Sequence, residues 1–189
     1  FLVRIIPDEP LRAYLQRALG YSITGLPTEE KLFMPWGPTA TGKSTLLRAV
    51  SNVLGDYAAV VGIETFMLQK ATGAPRNDIA RLAGKRFVLA TEAESGRLAT
   101  GILKTMTGGD IVSARFLYHE VFEFVPTAKI WIASNTRPTI PENDTGMWRR
   151  LSQIPLLEQI PELERDPYLK LALLDPQIGG PAVLKWLVD

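Results

Sequence analysis

Eight consecutive residues constrain the fold of this chain more than any other segment. Gly37-Pro38-Thr39-Ala40-Thr41-Gly42-Lys43-Ser44 fits the pattern G-x-x-x-x-G-K-[ST] in full, and each residue type in it has a physical reason. Gly37 and Gly42 permit backbone conformations and close approaches that a Cβ would block, so successive N–H groups can turn toward phosphate oxygens. Lys43 supplies a mobile positive charge for β- and γ-phosphates, and the start of a following helix adds the positive end of its dipole. The Ser44 hydroxyl suits Mg²⁺, and Thr45 follows on the same first turn. Such a loop works only between a strand and a helix. Leu32-Phe33-Met34 reads as a short buried strand before it, and Ser44 to Leu54 favour a helix after it, ended by Gly55-Asp56. Strand, glycine loop and helix open a parallel α/β sheet. The plainer alternative, a glycine turn that happens to precede Lys-Ser, leaves those flanks unexplained. The expected ligand is a purine nucleoside triphosphate, with ATP and Mg²⁺ as the natural pair.

Composition limits the rest. The chain has 189 residues, 46% of them apolar and 22% charged, enough for one globular domain with a real core. Lys and Arg number 21 against 20 Asp and Glu, a net charge of +1. That excludes a uniformly basic nucleic-acid coat and leaves room for a local basic stripe. Cys is absent and His occurs once, so disulfides, thiolate metal sites and a His-built zinc centre are excluded, and any metal is expected to be held by oxygen. No apolar run approaches a membrane span and no signal peptide opens the chain, so a soluble, cytoplasmic protein is expected. Phe1 stands where a start Met would, which reads as a domain of a longer polypeptide.

Around the loop, the pattern predicts further elements. Leu2-Val3-Arg4-Ile5-Ile6 looks strand-like. Asp8 can N-cap a helix with Leu11, Tyr14, Leu15, Ala18 and Leu19 on one stripe, closed by Gly20 at C′. A helix over Asn77–Ala83 stopped by Gly84 leads into Arg86–Ala90, an apolar run typical of a central parallel strand. Another helix spans about Leu98–Thr107 and breaks at Gly108-Gly109. Ile111–Leu117 and Val121–Val125 suggest a hairpin with Tyr118-His119-Glu120 at its turn. Lys129–Ser134 gives another buried strand, and Pro181–Val188 a last helix. The expected organisation is a small helical lead-in over residues 1–30, an α/β core with a mostly parallel sheet over 31–155, and a helical tail over 156–189.

Hydrolysis asks for more than a phosphate cradle: one carboxylate to hold the metal's water shell and another to orient the attacking water. Glu92 and Glu94 follow the strand that includes Phe87–Ala90, at the end where ligands of open α/β sheets bind, and in extended chain they share a face. A pair of solvated loop glutamates is the other reading. Asn135 follows its strand in the same way and suits either a water against the γ-phosphate or a turn cap. Arg149-Arg150, between Trp148 and Leu151, suits charge stabilisation across a subunit interface or a surface ion pair.

Taken in order, these segments resemble the superfamily 3 helicases, in particular the C-terminal ATPase domain of phage, plasmid and poxvirus-type primase-helicases. Gly37–Ser44 is similar to the family's Walker A, Phe87–Glu94 to Walker B, and Asn135 at the end of Lys129–Ser134 to motif C. Leu103–Asp110 resembles the motif B′ peculiar to the superfamily, and Trp148–Leu151 with Ile154-Pro155 resembles its arginine-finger segment. The resemblance implies an AAA+-like P-loop NTPase that forms a hexameric ring and moves single-stranded DNA through its pore, with a primase module upstream. It implies phosphate binding by Lys43, metal binding by Ser44 and Glu92, Walker B roles for Glu92 and Glu94, a sensor at Asn135, and a finger at Arg149 or Arg150. Ala93 separates the two glutamates where many members have adjacent acids. The family's DNA-contacting hairpin corresponds to the segment around Tyr118 and His119, with Lys104, Arg115 and Lys129 as further basic candidates. A P-loop kinase acting on a small molecule, or an assembly or DNA-binding module with dead chemistry, are the competing functions.

Overall fold

Alternation along three apolar strands sets the architecture. The computed structural model describes residues 1–68, 76–91, 97–136, 140 and 143–189. Strands β1 (Leu32–Trp36), β2 (Ala58–Gly62), β3 (Phe87–Thr91), β6 (Lys129–Ala133) and β7 (Leu151–Pro155) form one sheet in the order β2-β3-β6-β1-β7, with every pairing parallel. In a strand, successive side chains point to opposite faces. Phe33, Phe87, Leu89 and Trp131 therefore face one side, while Leu32, Met34, Val88, Ala90, Ile130 and Ile132 face the other. All ten are buried, as expected of a parallel sheet covered on both faces.

On the first face lie α2 (Glu9–Ile23), α3 (Lys43–Leu54) and α8 (Gly179–Val188), which share one apolar cluster with the sheet. Trp131 is its centre. Its ring stacks on Phe33 at 4.5 Å, and its indole N–H donates to the Ser22 hydroxyl at 2.9 Å, so the one polar atom of a fully buried ring is satisfied. On the second face α5 (Thr100–Gly108) contributes Leu103 and Met106, and the short α4 (Asn77–Ala80) contributes Ile79. A separate antiparallel hairpin pairs β4 (Val112–Ala114) with β5 (Phe122–Phe124). The other helices are α1 (Leu2–Ile5), α6 (Thr145–Trp148) and α7 (Leu169–Leu174).

Three sequence expectations change. The strand-like Leu2–Ile6 is helical over Leu2–Ile5: among the described residues the run has no ladder partner, and the Ile5 N–H donates instead to the Phe1 carbonyl at 3.1 Å, while Ile5 and Ile6 join the core. Gly20 does not end its helix. It lies inside α2, where a Cβ would sit 2.6 Å from the Leu187 carbonyl oxygen, so the glycine allows α8 to cross closely. The helix after Arg76 stops at Ala80 and continues as a turn to Gly84, whose φ of 74° is left-handed. Other readings hold: Asp8 accepts from the Leu11 N–H at 3.1 Å as the N-cap, and Gly109 ends α5 in the left-handed region. Among the described residues no helix is long and apolar enough to cross a membrane.

Candidate functional site

The glycine loop leaves the carboxyl end of β1 and enters α3 at Lys43. Its first residue is held by the sheet: the Gly37 N–H donates to the Ser134 carbonyl at 3.2 Å, while the Leu156 N–H donates to the Trp36 carbonyl at 2.8 Å. Gly37 has φ 148°, and a Cβ there would run into the Leu156 carbonyl. Gly42 has φ 79° and backs onto Ile5 and the Phe1 ring. Ala40 takes a left-handed φ of 60° at the loop's crown, a conformation that costs a non-glycine residue roughly 1 kcal/mol or more.

Lys43 folds back over this loop. Its ammonium donates to the carbonyls of Gly37 and Pro38, each at 2.6 Å, and to the Thr41 hydroxyl at 3.0 Å, and the residue is buried. A cation is thereby held in a bowl of backbone at the head of a 12-residue helix, which is the donor set a polyphosphate requires. Ser44 is exposed and Thr45 half-buried on the first turn of α3. The residues present fit a nucleoside triphosphate: glycines at Gly37 and Gly42, where a Cβ would meet the Leu156 carbonyl or the Ile5 and Phe1 side chains packed against the loop, and a lysine inside it.

Asn135 lies beside the loop. It is exposed directly after Ser134, whose backbone bridges Trp36 and whose hydroxyl donates to the Thr136 carbonyl at 2.7 Å. Glu92 and Glu94 lie outside the described residues; β3 itself ends at Thr91, paired with Ala133. A cleft of about 680 Å³ opens next to the loop, between α1 and residues 160–170.

Arg149 and Arg150 sit at the opposite end of the strands, just before β7, which pairs with β1. The Leu32 N–H, at the start of β1, donates to the Arg150 carbonyl at 2.8 Å, so roughly 17 Å of strand separates the pair from the loop. Both guanidinium groups meet one carboxylate, Glu30, at 2.9 Å from Arg149 and 2.8 Å from Arg150. Their burial differs: 64% of the Arg149 side chain is exposed and only 11% of Arg150's, which also donates to the Gly146 carbonyl at 3.0 Å. Glu30 has a left-handed φ of 49°. Sequence reading did not single it out; Glu29-Glu30-Lys31 carries no marker for a backbone conformation of that kind.

The hairpin projects Tyr118, 97% exposed with φ 63°, and exposed His119 and Arg115. Behind the turn Phe116 stacks on Phe122 at 5.9 Å and Phe122 on Phe124 at 6.0 Å, while the Leu117 N–H donates to the Asn77 side chain at 2.7 Å. The tip is thus carried on an ordered aromatic stem. Lys104 pairs with Asp144 at 2.6 Å, and this ammonium, with the Met147 N–H, holds the Asp144 carboxyl below its ordinary range. Lys129 is not available to DNA: it is 3% exposed, its ammonium donates to the Thr127 carbonyl at 3.0 Å and lies 4.7 Å from the Tyr21 ring centre. Burial lowers its pKa to about 8.

A parallel five-stranded sheet with helices on both faces makes this an α/β protein, and a glycine loop with Lys43 folded into it stands at the carboxyl end of β1. The chain belongs to the family of unknown function DUF5906, which it matches over residues 36–150. It is 33% identical over 163 residues to "Putative helicase L207/L206" of Acanthamoeba polyphaga mimivirus, covering 84% of this chain and 17% of that protein. It is 34% identical over 152 residues to "Putative primase C962R" of African swine fever virus, covering 78% of this chain and 16% of the relative. The chain therefore spans about a sixth of the length of the curated relatives it matches. The C-terminal region of NrS-1 shares the fold over 100% of this chain and 44% of its own, with a TM-score of 0.76 at 16% identity.

Proposed function

We propose that this chain is the ATP-hydrolysing part of a replicative primase-helicase, an AAA+-like P-loop NTPase of superfamily 3 type that moves single-stranded DNA through a hexameric ring. The observation that carries the reading is the Lys43 ammonium inside the Gly37–Gly42 loop at the head of α3. Names of the viral relatives, helicase and primase, support a role in DNA replication. The strand order, with β6 between β1 and β3, suits the same type.

In this reading Lys43 exchanges its carbonyl partners for β- and γ-phosphate oxygens, and the N–H groups of residues 38–45 line the phosphates. Ser44, with Glu92, would hold Mg²⁺, which when bound offsets phosphate charge. Glu92 or Glu94 orients the attacking water and Asn135 senses the γ-phosphate. Arg149 and Arg150 stand too far from their own loop to reach its ligand, which supports action on a neighbour's nucleotide. Tyr118, His119, Arg115 and Lys104 would line the pore, where a few basic groups per subunit repeat around one axis while the chain stays near neutral.

Solution mass tests the assembly. With ATP, Mg²⁺ and single-stranded DNA the protein is expected at six times its chain mass. A monomer or dimer under all conditions would instead support a small-molecule kinase.

A further inference from the structure

At the amino end of β1, two arginines of very different burial share one carboxylate oxygen. Glu30 Oε2 accepts from Arg149 Nη2 at 2.9 Å and lies 2.8 Å from Arg150 Nη2. Arg150 is built into the fold. Its Nη1 donates to the Gly146 carbonyl at 3.0 Å, its own carbonyl accepts from the Leu32 N–H at 2.8 Å, and only 11% of its side chain is exposed. Arg149 has a pinned backbone and a side chain in water. The Lys31 ammonium donates to its carbonyl at 2.7 Å, while 64% of the side chain is exposed and, among the described residues, its guanidinium has no partner besides Glu30. A guanidinium offers five N–H donors in a flat fork, so one bond to Glu30 leaves most of the fork open. Glu30 itself sits at a left-handed φ of 49°, in a turn where its N–H donates to the Pro27 carbonyl at 3.1 Å. Strain of that kind at a non-glycine residue marks a side chain whose placement matters. A recess of about 370 Å³ opens beside the cluster, lined by Thr28, Glu29, Glu30, Lys31 and both arginines. Three cations there face two carboxylates, a balance that suits an incoming anion.

A loose arginine stem must be immobilised each time it meets a phosphate, and the lost rotamer freedom weakens the contact. We propose that Glu30 is the positioning residue of the arginine pair: it ties Arg149 to the buried Arg150, so that the open side of the Arg149 fork meets the triphosphate of a neighbouring subunit already ordered. The proposal rests on the reading of the pair as acting across a subunit interface, and it divides the roles within the pair. Arg149 reaches the phosphate, and Arg150 anchors the carboxylate. A counter-ion serving Arg150 alone would account for one of the two contacts, and leaves the exposed arginine's convergence on the same oxygen without a reason. Exposed ion pairs add little to stability, so the Arg149 contact matters for where it holds the guanidinium.

Steady-state hydrolysis of Mg·ATP on single-stranded DNA, with kcat and KM read separately, tests this. Glu30→Gln is expected to lower kcat about tenfold and to leave KM for ATP within about twofold, because the phosphate loop lies at the other end of β1. Glu30→Asp keeps the charge beside Arg150 on a stem one methylene shorter, and is expected to lower kcat about threefold. Mixing gives a readout that a purely structural role would not move. Glu30→Gln subunits keep their loops and Lys43→Ala subunits keep their arginines, so a 1:1 mixture is expected to hydrolyse ATP about fivefold faster than the mean of the two proteins alone. Wild-type kcat in Glu30→Gln, or a mixture that performs at the mean, overturns the proposal while an impaired Arg149→Ala keeps the arginine reading standing. If Arg149→Ala hydrolyses ATP at the wild-type rate, the arginine reading fails and the proposal fails with it. Where Glu30→Gln does not fold, Glu30→Asp decides by the same comparison, and wild-type kcat in it overturns the proposal.

Discussion

Replacing Lys129 by Met should make the protein more stable at neutral pH, although the lysine is among its most buried residues. Lys129 begins the central strand β6 and no carboxylate pairs with it among the described residues; its partners are one carbonyl oxygen and the Tyr21 ring. Burial takes its pKa from an ordinary 10.5 down to about 8. The sign follows from linkage. Between pH 8 and 10.5 the unfolded chain keeps the proton that the folded chain has released, so stability rises with pH through that window. Below pH 8 both states are charged and the full desolvation cost is present. At 1.36 kcal/mol per unit the cost is about 3 kcal/mol as an upper bound, and losing the Tyr21 and Thr127 contacts gives back about 1–2 kcal/mol. K129M should therefore gain about 1–2 kcal/mol at pH 7, and the gain should shrink as pH rises toward 10. Urea unfolding of both proteins at pH 7.0 and 9.5 measures it. A variant that is less stable at pH 7, or a difference that does not change with pH, would refute the reasoning.

Other substitutions report on separate contacts. Gly20→Ala presses a methyl group onto the Leu187 carbonyl and should cost about 1–3 kcal/mol in urea unfolding; a neutral result would mean α8 shifts freely. Glu30→Gln leaves the Arg150 guanidinium, 11% exposed and with no partner for its Nε among the described residues, short of its counter-ion, and should cost about 1–3 kcal/mol. Arg149→Gln, at the exposed member of the same cluster, should cost less than about 1 kcal/mol. Tyr118→Ala, at the bare hairpin tip, should change stability by under about 0.5 kcal/mol while lowering single-stranded DNA affinity in a fluorescence anisotropy titration.

Residues whose role depends on local pattern were legible in the sequence. Phe87–Ala90 and Ile130–Ala133 are apolar without interruption, as suits a strand covered on both faces, and both are central in the sheet. The loop, its strand and its helix were legible for the same reason. Edge strands were not. β2, Ala58–Gly62, is small, half-exposed and without alternation, and β7, Leu151–Pro155, includes Ser152 and Gln153; both gain their strand character from the neighbour they pair with. The site divides similarly. Gly37–Ser44 carry their geometry in their residue types, whereas Glu30 under the arginine pair, the Arg4–Glu164 bridge and the burial of Lys129 depend on partners 119, 160 and 108 residues away. Gly20 shows the limit from the other side: a glycine near a helix end reads as a cap, and only the crossing of α8 reveals a packing role.

The central claim is that the Lys43 loop binds and hydrolyses ATP in the service of DNA movement. Phosphate release from Mg·ATP, with and without single-stranded DNA, on wild-type protein and Lys43→Ala, tests it most directly. Hydrolysis by the wild-type protein is expected to rise several-fold with DNA and to be absent in the Lys43→Ala variant, with the variant's fold intact by circular dichroism. Equal rates in the two proteins, or no hydrolysis by wild-type protein that forms rings on DNA, would contradict it.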